Sequence, residues 1–140
     1  MIPVELARRL RESGLRWHPA AGDRFAIPQP ALEDQVFTLS EMVIEPRHHS
    51  TGTVLAFNGT TEWALDSVEA EDALWLPRED QLRDMLGGTF VSLDRADGLW
   101  RVTSRVPGAG ERTDTGPTAA EAYAHAVLEL LRVVREPVSS

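Results

Sequence analysis

Acidic and tryptophan residues between positions 62 and 84 are the side chains of this 140-residue chain best suited to binding or catalysis. Eight carboxylates and two arginines give this segment a net charge of −6. The whole chain carries −8, so the remainder is close to neutral. Such a segment is typical of a docking face for a basic partner, of a divalent-cation site, or of a solvated surface. Its spacing does not match the EF-hand calcium loop, in which ligand positions and a central glycine are fixed.

The leading hypothesis is a non-enzymatic protein-binding or adaptor module that uses this region. Aromatic side chains anchor many protein interfaces, and surface charge steers the encounter with a partner of opposite charge. The candidate partner-binding residues are Glu62, Trp63, Asp66, Glu69, Glu71, Asp72 and Trp75. The expected partner is a basic protein. An immunity- or antitoxin-like role is one version of this hypothesis, and a structural subunit or assembly factor is a separate alternative.

Histidines and carboxylates suggest an enzymatic alternative, a carboxylate- or metal-dependent hydrolase. Glu45, His48 and His49 are close in sequence, but neighbouring strand residues point to opposite faces, so the two histidines can share a metal only within a turn. The polar composition of 46–52 favours a solvated loop. The zinc-protease motif H-E-x-x-H and the nucleophile-elbow motif G-x-S-x-G do not occur in the sequence. The sequence therefore predicts no catalytic residue, no metal ligand and no cofactor.

Missing residue types exclude several mechanisms. All 14 basic residues are arginine, and the chain has no cysteine. Without lysine there is no Schiff-base enzyme and no P-loop NTPase, and without cysteine there is no thiolate nucleophile or disulfide. The acidic net charge disfavours nucleic acid, and no apolar run approaches the roughly 20 residues that span a bilayer. We therefore expect a cytoplasmic protein without a signal peptide, and the oligomeric state is left open.

Three helices are predicted around these candidate residues. An amphipathic pattern over 3–13, followed by Gly14, indicates the first helix. The second is predicted over 77–86, where a proline and two acidic residues suit a helix N-terminus. The third begins at Thr118, which forms a capping box with Glu121.

Strands are predicted between the helices. They cover 24–27, 35–45, 53–57, 60–65, 90–95, 99–106 and 111–115. Turn signals at 58–59 and 96–98 predict two hairpins, and 66–72 is expected to be an exposed acidic segment. Strands joined by hairpins favour a mainly antiparallel sheet, here of about six or seven strands covered by three helices, which is the α+β class. We expect a single domain over 1–136 and a frayed tail over 137–140.

Two stretches of the chain resemble small actinobacterial proteins that often carry the label of pilus-assembly protein CpaE. They are 58–68, NGTTEWALDSV, and 74–83, LWLPREDQLR. The label implies a ParA/MinD-like ATPase, but this chain has no lysine and no P-loop, so no ATPase residue is carried over. The layout of 75–77, Phe90, 98–102 and 118–126 is also similar to phage α-β-α sandwich domains, which implies a sheet between helical layers.

Overall fold

Three α-helices and nine short strands form the described part of this protein. The structure, a computed structural model, describes residues 1–27, 35–39, 47–49, 52–56, 67–69 and 73–135, and only the backbone at 47–49, 52–56, 67–69 and 135. The chain divides into two compact units. The first consists of Met1–Leu15 and Pro77–Ser140, and the second of Arg16–Leu76. The α+β class predicted from the sequence is confirmed.

The elements follow one another as helix, six strands, helix, three strands and helix. They are α1 (Val4–Glu12), β1 (Arg24–Ala26), β2 (Val36–Thr38), β3 (Arg47–His49), β4 (Gly52–Ala56), β5 (Ser67–Glu69), β6 (Leu74–Leu76), α2 (Glu79–Leu86), β7 (Phe90–Ala96), β8 (Leu99–Val106), β9 (Gly110–Gly116) and α3 (Ala119–Arg135). Within the described ranges no helix combines the length and hydropathy needed to cross a bilayer.

Strand pairing is antiparallel and joins the described strands into three groups of three. Their orders are β2-β1-β6, β3-β4-β5 and β7-β8-β9. The prediction of one sheet of about six or seven strands is therefore not confirmed. The single domain over 1–136 stays a prediction, and the tail over 137–140 lies outside the described residues.

Two segments that were expected to lack regular structure contain strands. The predicted loop over 46–52 is wrong in its first half, because Arg47–His49 forms β3 and pairs with β4. The segment 66–72 contains β5, which pairs with the other side of β4. These two three-residue strands carry too little alternation to be recognised in the sequence, and pairing supplies partners for their backbone N–H and C=O groups. The predicted turn at 58–59 and the strand over 60–65 lie outside the described residues.

Local capping signals set the ends of the helices in the first unit. Pro3 is the N-cap of α1, and Gly14, which follows this helix, has a φ of 106° that suits glycine. Thr118 Oγ1 accepts a hydrogen bond from the Glu121 amide at 3.2 Å and donates one to the Glu121 carboxylate at 3.2 Å. The predicted first helix is confirmed. Of the predicted capping box, the bond from the Glu121 amide to the Thr118 hydroxyl is confirmed, whereas the Glu121 carboxylate bonds the Thr118 hydroxyl.

A three-stranded sheet and helix α3 form the core of the first unit. The hairpin between β7 and β8 turns at Asp97 and Gly98, whose φ angles are 53° and 78°. Helix α3 packs on β8 and β9. The helix contributes buried Tyr123 and Val127, and β8 contributes buried Val102. On the opposite face, most of the residues that alternate with Val102 along β8 are polar, and Leu99 and Arg105 are exposed.

Gly116 at the end of β9 is predicted to be intolerant of any side chain. A Cβ atom at this position would lie 2.8 Å from the backbone nitrogen of Ala122 and 2.9 Å from Cβ of Glu121. Because the first turn of α3 must move to accept it, Gly116→Ala should lower the free energy of unfolding by about 1–3 kcal/mol. The control is Gly88→Ala, where a Cβ meets no atom within 4 Å. Equal urea midpoints for the two variants would contradict the prediction.

Candidate functional site

The predicted partner-binding residues all belong to the second unit, and two of them fall on described strands. Glu69 is the last residue of β5, and its backbone pairs with Val54. Trp75 lies at the centre of β6 and pairs with Phe25. These two residues are in different sheets. The others, Glu62, Trp63, Asp66, Glu71 and Asp72, lie outside the described residues.

Trp75 belongs to a row of aromatic residues that crosses the sheet β2-β1-β6. Phe25 of β1 stands opposite Phe37 on one side and opposite Trp75 on the other. Residues directly opposite in antiparallel strands share a face, so all three side chains lie on the same side of the sheet. The Phe25 and Phe37 rings stack with centroids 5.5 Å apart and an interplanar angle of 25°. Phe25 is fully buried, whereas Phe37 and Trp75 are half-buried.

A fourth aromatic ring and a buried carboxylate complete this group. Trp17 lies with its ring centroid 5.5 Å from that of Phe25. Its indole Nε1–H donates to Asp23 Oδ2 at 2.9 Å, and the backbone N–H of Ala20 donates to the same oxygen at 3.0 Å. Asp23 is only 2% exposed. We call Trp17, Phe25, Phe37 and Trp75 the aromatic cluster. Asp23 holds the loop that contains Trp17 and leads into β1.

The two indole N–H groups of the aromatic cluster differ in their hydrogen bonding. Trp17 Nε1 is satisfied by Asp23, whereas Trp75 Nε1 is buried and has no acceptor among the described residues. Burying a donor without a partner costs about 1–3 kcal/mol, and such groups are rare in native proteins. An unsatisfied donor is therefore a feature that stability alone does not explain, and it occurs at a residue predicted to bind a partner.

The charge of segment 62–84 is divided unequally between the two units. Its part on α2 has Glu79, Asp80 and Asp84 exposed, with Arg78 and Arg83 nearby in sequence. Arg78 Nε donates to Asp80 Oδ1 at 3.1 Å, and this hydrogen bond lowers the pKa of the Asp80 carboxyl. The α2 part is thus nearly compensated.

The part of the segment in the second unit contains no arginine within its own sequence. Residues 62–72 contain five carboxylates and no basic residue, so nearly all of the segment's −6 is concentrated there. We call 62–72 the acidic run. The sequence alone identified the charge, but the division between the two units depends on where the chain leaves β6 and enters α2.

Metal-binding groups are not assembled in the part of the chain that the structure describes. No set of three His, Asp or Glu residues there could hold an ion. His48 and His49 are consecutive backbone positions of β3, opposite Thr53 and Gly52. His125 is half-buried on α3, and His18 is exposed. Within the described residues, none of these histidines forms part of a hydrolytic site.

Sequence reasoning missed Trp17, Phe25, Phe37 and Asp23 as parts of one group. Trp17 falls in a segment that reads as a simple connection, and Asp23 precedes a strand of only three residues. The available signal was Trp17 six residues before an acidic residue that directly follows a glycine. This signal is weak, because it has meaning only if the chain between Trp17 and Asp23 turns back and brings the two side chains together.

Comparison with known proteins adds no functional assignment. We found no protein-family model, no curated protein and no solved structure that matches this chain. The resemblance to proteins labelled CpaE therefore stays a prediction, and function must be argued from the residues of the site.

Proposed function

We propose that this protein is a protein-binding module that captures a basic protein through the acidic run and Trp75. The observation that carries the proposal is the buried Nε1–H of Trp75, which has no acceptor among the described residues and lies three residues after the acidic run ends. A donor kept without an acceptor has a stability cost, which a bound partner can offset by supplying a carbonyl or carboxylate oxygen after local rearrangement. The cytoplasm is the proposed location, since a chain without cysteine suits a reducing compartment.

Charge and aromatic surface support the proposal in different ways. The acidic run, with five carboxylates and no basic residue of its own, creates a local negative potential that accelerates encounter with a basic surface and is weakened by salt. The half-buried indole of Trp75 offers a large, rigid ring, the type of side chain that dominates binding energy at interfaces. The two features together predict fast, salt-sensitive association with a basic partner and an aromatic anchor that slows its release.

Neutralising three of the five carboxylates of the acidic run is expected to weaken partner capture strongly. The variant carries Glu69→Gln, Glu71→Gln and Asp72→Asn, and it serves as bait in a pull-down from a lysate of a related organism. These charges attract the basic partner during encounter and form ion pairs with it at the edge of the interface. Recovery of a basic partner should therefore fall by roughly tenfold or more at physiological salt. Quantitative mass spectrometry of the bound fraction measures the loss.

The matched control removes the same number of charges from α2. It carries Glu79→Gln, Asp80→Asn and Asp84→Asn, and it should capture the partner as the wild type does. A further variant, Trp75→Phe, keeps an aromatic ring but removes the unsatisfied donor, and it should weaken capture while the fold is retained. Identical partner profiles for the wild type and the variant of the acidic run would refute the proposed function.

A further inference from the structure

Strand β9 is a regular and exposed edge of the sheet in the first unit. All seven of its residues pair with β8 in an unbroken register, from Gly110 opposite Val106 to Gly116 opposite Trp100. No other described strand pairs with β9. Five of its residues, from Gly110 to Thr113 and Thr115, are exposed. An edge of this kind presents unpaired backbone N–H and C=O groups to another strand.

The other edge of the same sheet is less suited to pairing. Strand β7 has a register shift between Phe90 and Ser92, where an extra residue interrupts the ladder. Bulges of this kind are one of the devices by which proteins protect sheet edges. Strand β9 has no bulge, and its pairing surface is bounded by Gly110, with a φ of 80°, and by Pro117. The regular edge is therefore β9.

The charges of β9 are complementary to those of a second copy of the same strand. A two-fold axis normal to the sheet leaves each face of the first copy continuous with the same face of the second copy. Such an axis must therefore pass between the two copies of one and the same residue. An axis through Arg112 or Asp114 would place like charges opposite each other, which is destabilising. An axis through Thr113 places Arg112 opposite Asp114 of the second copy and Glu111 opposite Thr115. That register is also the one in which all seven residues pair.

Of the two charged residues beside this axis, Arg112 is exposed and Asp114 is only 7% exposed. The Arg112 side chain is 48% exposed although it already bonds Asp114 at 3.1 Å and Glu129 at 3.2 Å. In the dimer the exposed Arg112 side chain of each copy would lie opposite Asp114 of the other copy, at the edge of this buried carboxylate. On the opposite face the Thr103 and Thr113 hydroxyls are 3.4 Å apart, and pairing would continue this threonine row across the axis.

We propose that two copies of this chain associate through antiparallel pairing of their β9 strands about a two-fold axis at Thr113. The product is a continuous six-stranded sheet with both α3 helices on one face. This inference concerns only the first unit and is independent of the proposed function.

Sedimentation velocity of the full chain over a range of concentrations tests the dimer. The wild type should form a dimer of the 15.5 kDa monomer. Thr113→Lys and Thr113→Glu each place two like charges at the axis, so each should raise the dimer dissociation constant by about tenfold or more. An equal mixture of the two variants should recover the dimer, because lysine then faces glutamate.

The control is Thr103→Lys, which lies on the same exposed face but on the central strand. It should dimerise as the wild type does, and circular dichroism checks that each variant is folded. A wild type that stays monomeric at every concentration overturns the proposal. So does a dimer that Thr113→Lys and Thr103→Lys affect equally. Failure of the mixed variants to recover the dimer would also overturn it, because recovery depends on a two-fold register centred on Thr113.

Discussion

Phe25→Ala should be the most destabilising substitution in the aromatic cluster, lowering the free energy of unfolding by about 3–5 kcal/mol. Phe25 is fully buried at the centre of the sheet β2-β1-β6. Its ring contacts Trp17 on one side and stacks on Phe37, so truncation removes partners from both. The cavity is bordered by rings that cannot collapse into it without shifting β1. Chemical denaturation followed by tryptophan fluorescence measures the loss.

The control for Phe25→Ala comes from the neighbouring strand. Val36 in β2 is 42% exposed, and Val36→Ala should change stability by less than about 1 kcal/mol. Both substitutions remove side-chain atoms from the same three-stranded sheet and differ in burial. If the two variants unfold at the same denaturant concentration, the packing role assigned to Phe25 is wrong.

Features with local causes could be predicted from the sequence. The capping box of Thr118 and Glu121 spans four residues, and the turn at Asp97 and Gly98 depends on two residues that tolerate positive φ. Each of these features depends on residues that are close in the sequence. The first helix, the last helix and the hairpin of β7 and β8 could therefore be predicted from the sequence. Capping and turn chemistry act within one turn of chain and need no tertiary information.

The aromatic row could not be predicted, because it depends on pairing between distant segments. Phe25 and Trp75 are fifty positions apart in the sequence and meet only because β6 pairs with β1. Strands of three residues show no usable alternation, and a register shift of one residue would move each ring to the other face. Sequence therefore identified Trp75 as a candidate without indicating that Phe25 and Phe37 stand beside it.

The sequence predicted which residue types make up the candidate site, but it did not predict how they are arranged. Counting charges correctly indicated an acidic segment over 62–84, and this count needs no structure. The pairing of Arg78 with Asp80 shows that the α2 part is partly compensated by its own arginine. The Arg78–Asp80 pair depends on a side-chain distance and required coordinates, whereas the charge of residues 62–72 is a count that the sequence alone supplies.

Asp23→Ala should be the second most damaging change, with a loss of about 2–4 kcal/mol in the free energy of unfolding. One oxygen of the buried Asp23 carboxylate accepts both the Trp17 indole N–H and the Ala20 amide. Alanine leaves both donors without this acceptor. The backbone of Asp23 also bonds Leu39 at 2.9 Å, so disorder in this loop would extend to the β1–β2 ladder. Urea denaturation with Trp17 fluorescence should report a lower midpoint.

Two further variants separate the hydrogen bonds of Asp23 from a general effect of substitution. Asp23→Asn keeps an amide oxygen where Oδ2 stands, so it should retain most of the stability that alanine loses. In a Trp17→Phe background one of the two donors is already gone, and Asp23→Ala should then cost about 1–2 kcal/mol less than in the wild type. If the two costs are equal, Trp17 and Asp23 are energetically independent. Asp23 would then not be the residue that holds Trp17 in the aromatic cluster.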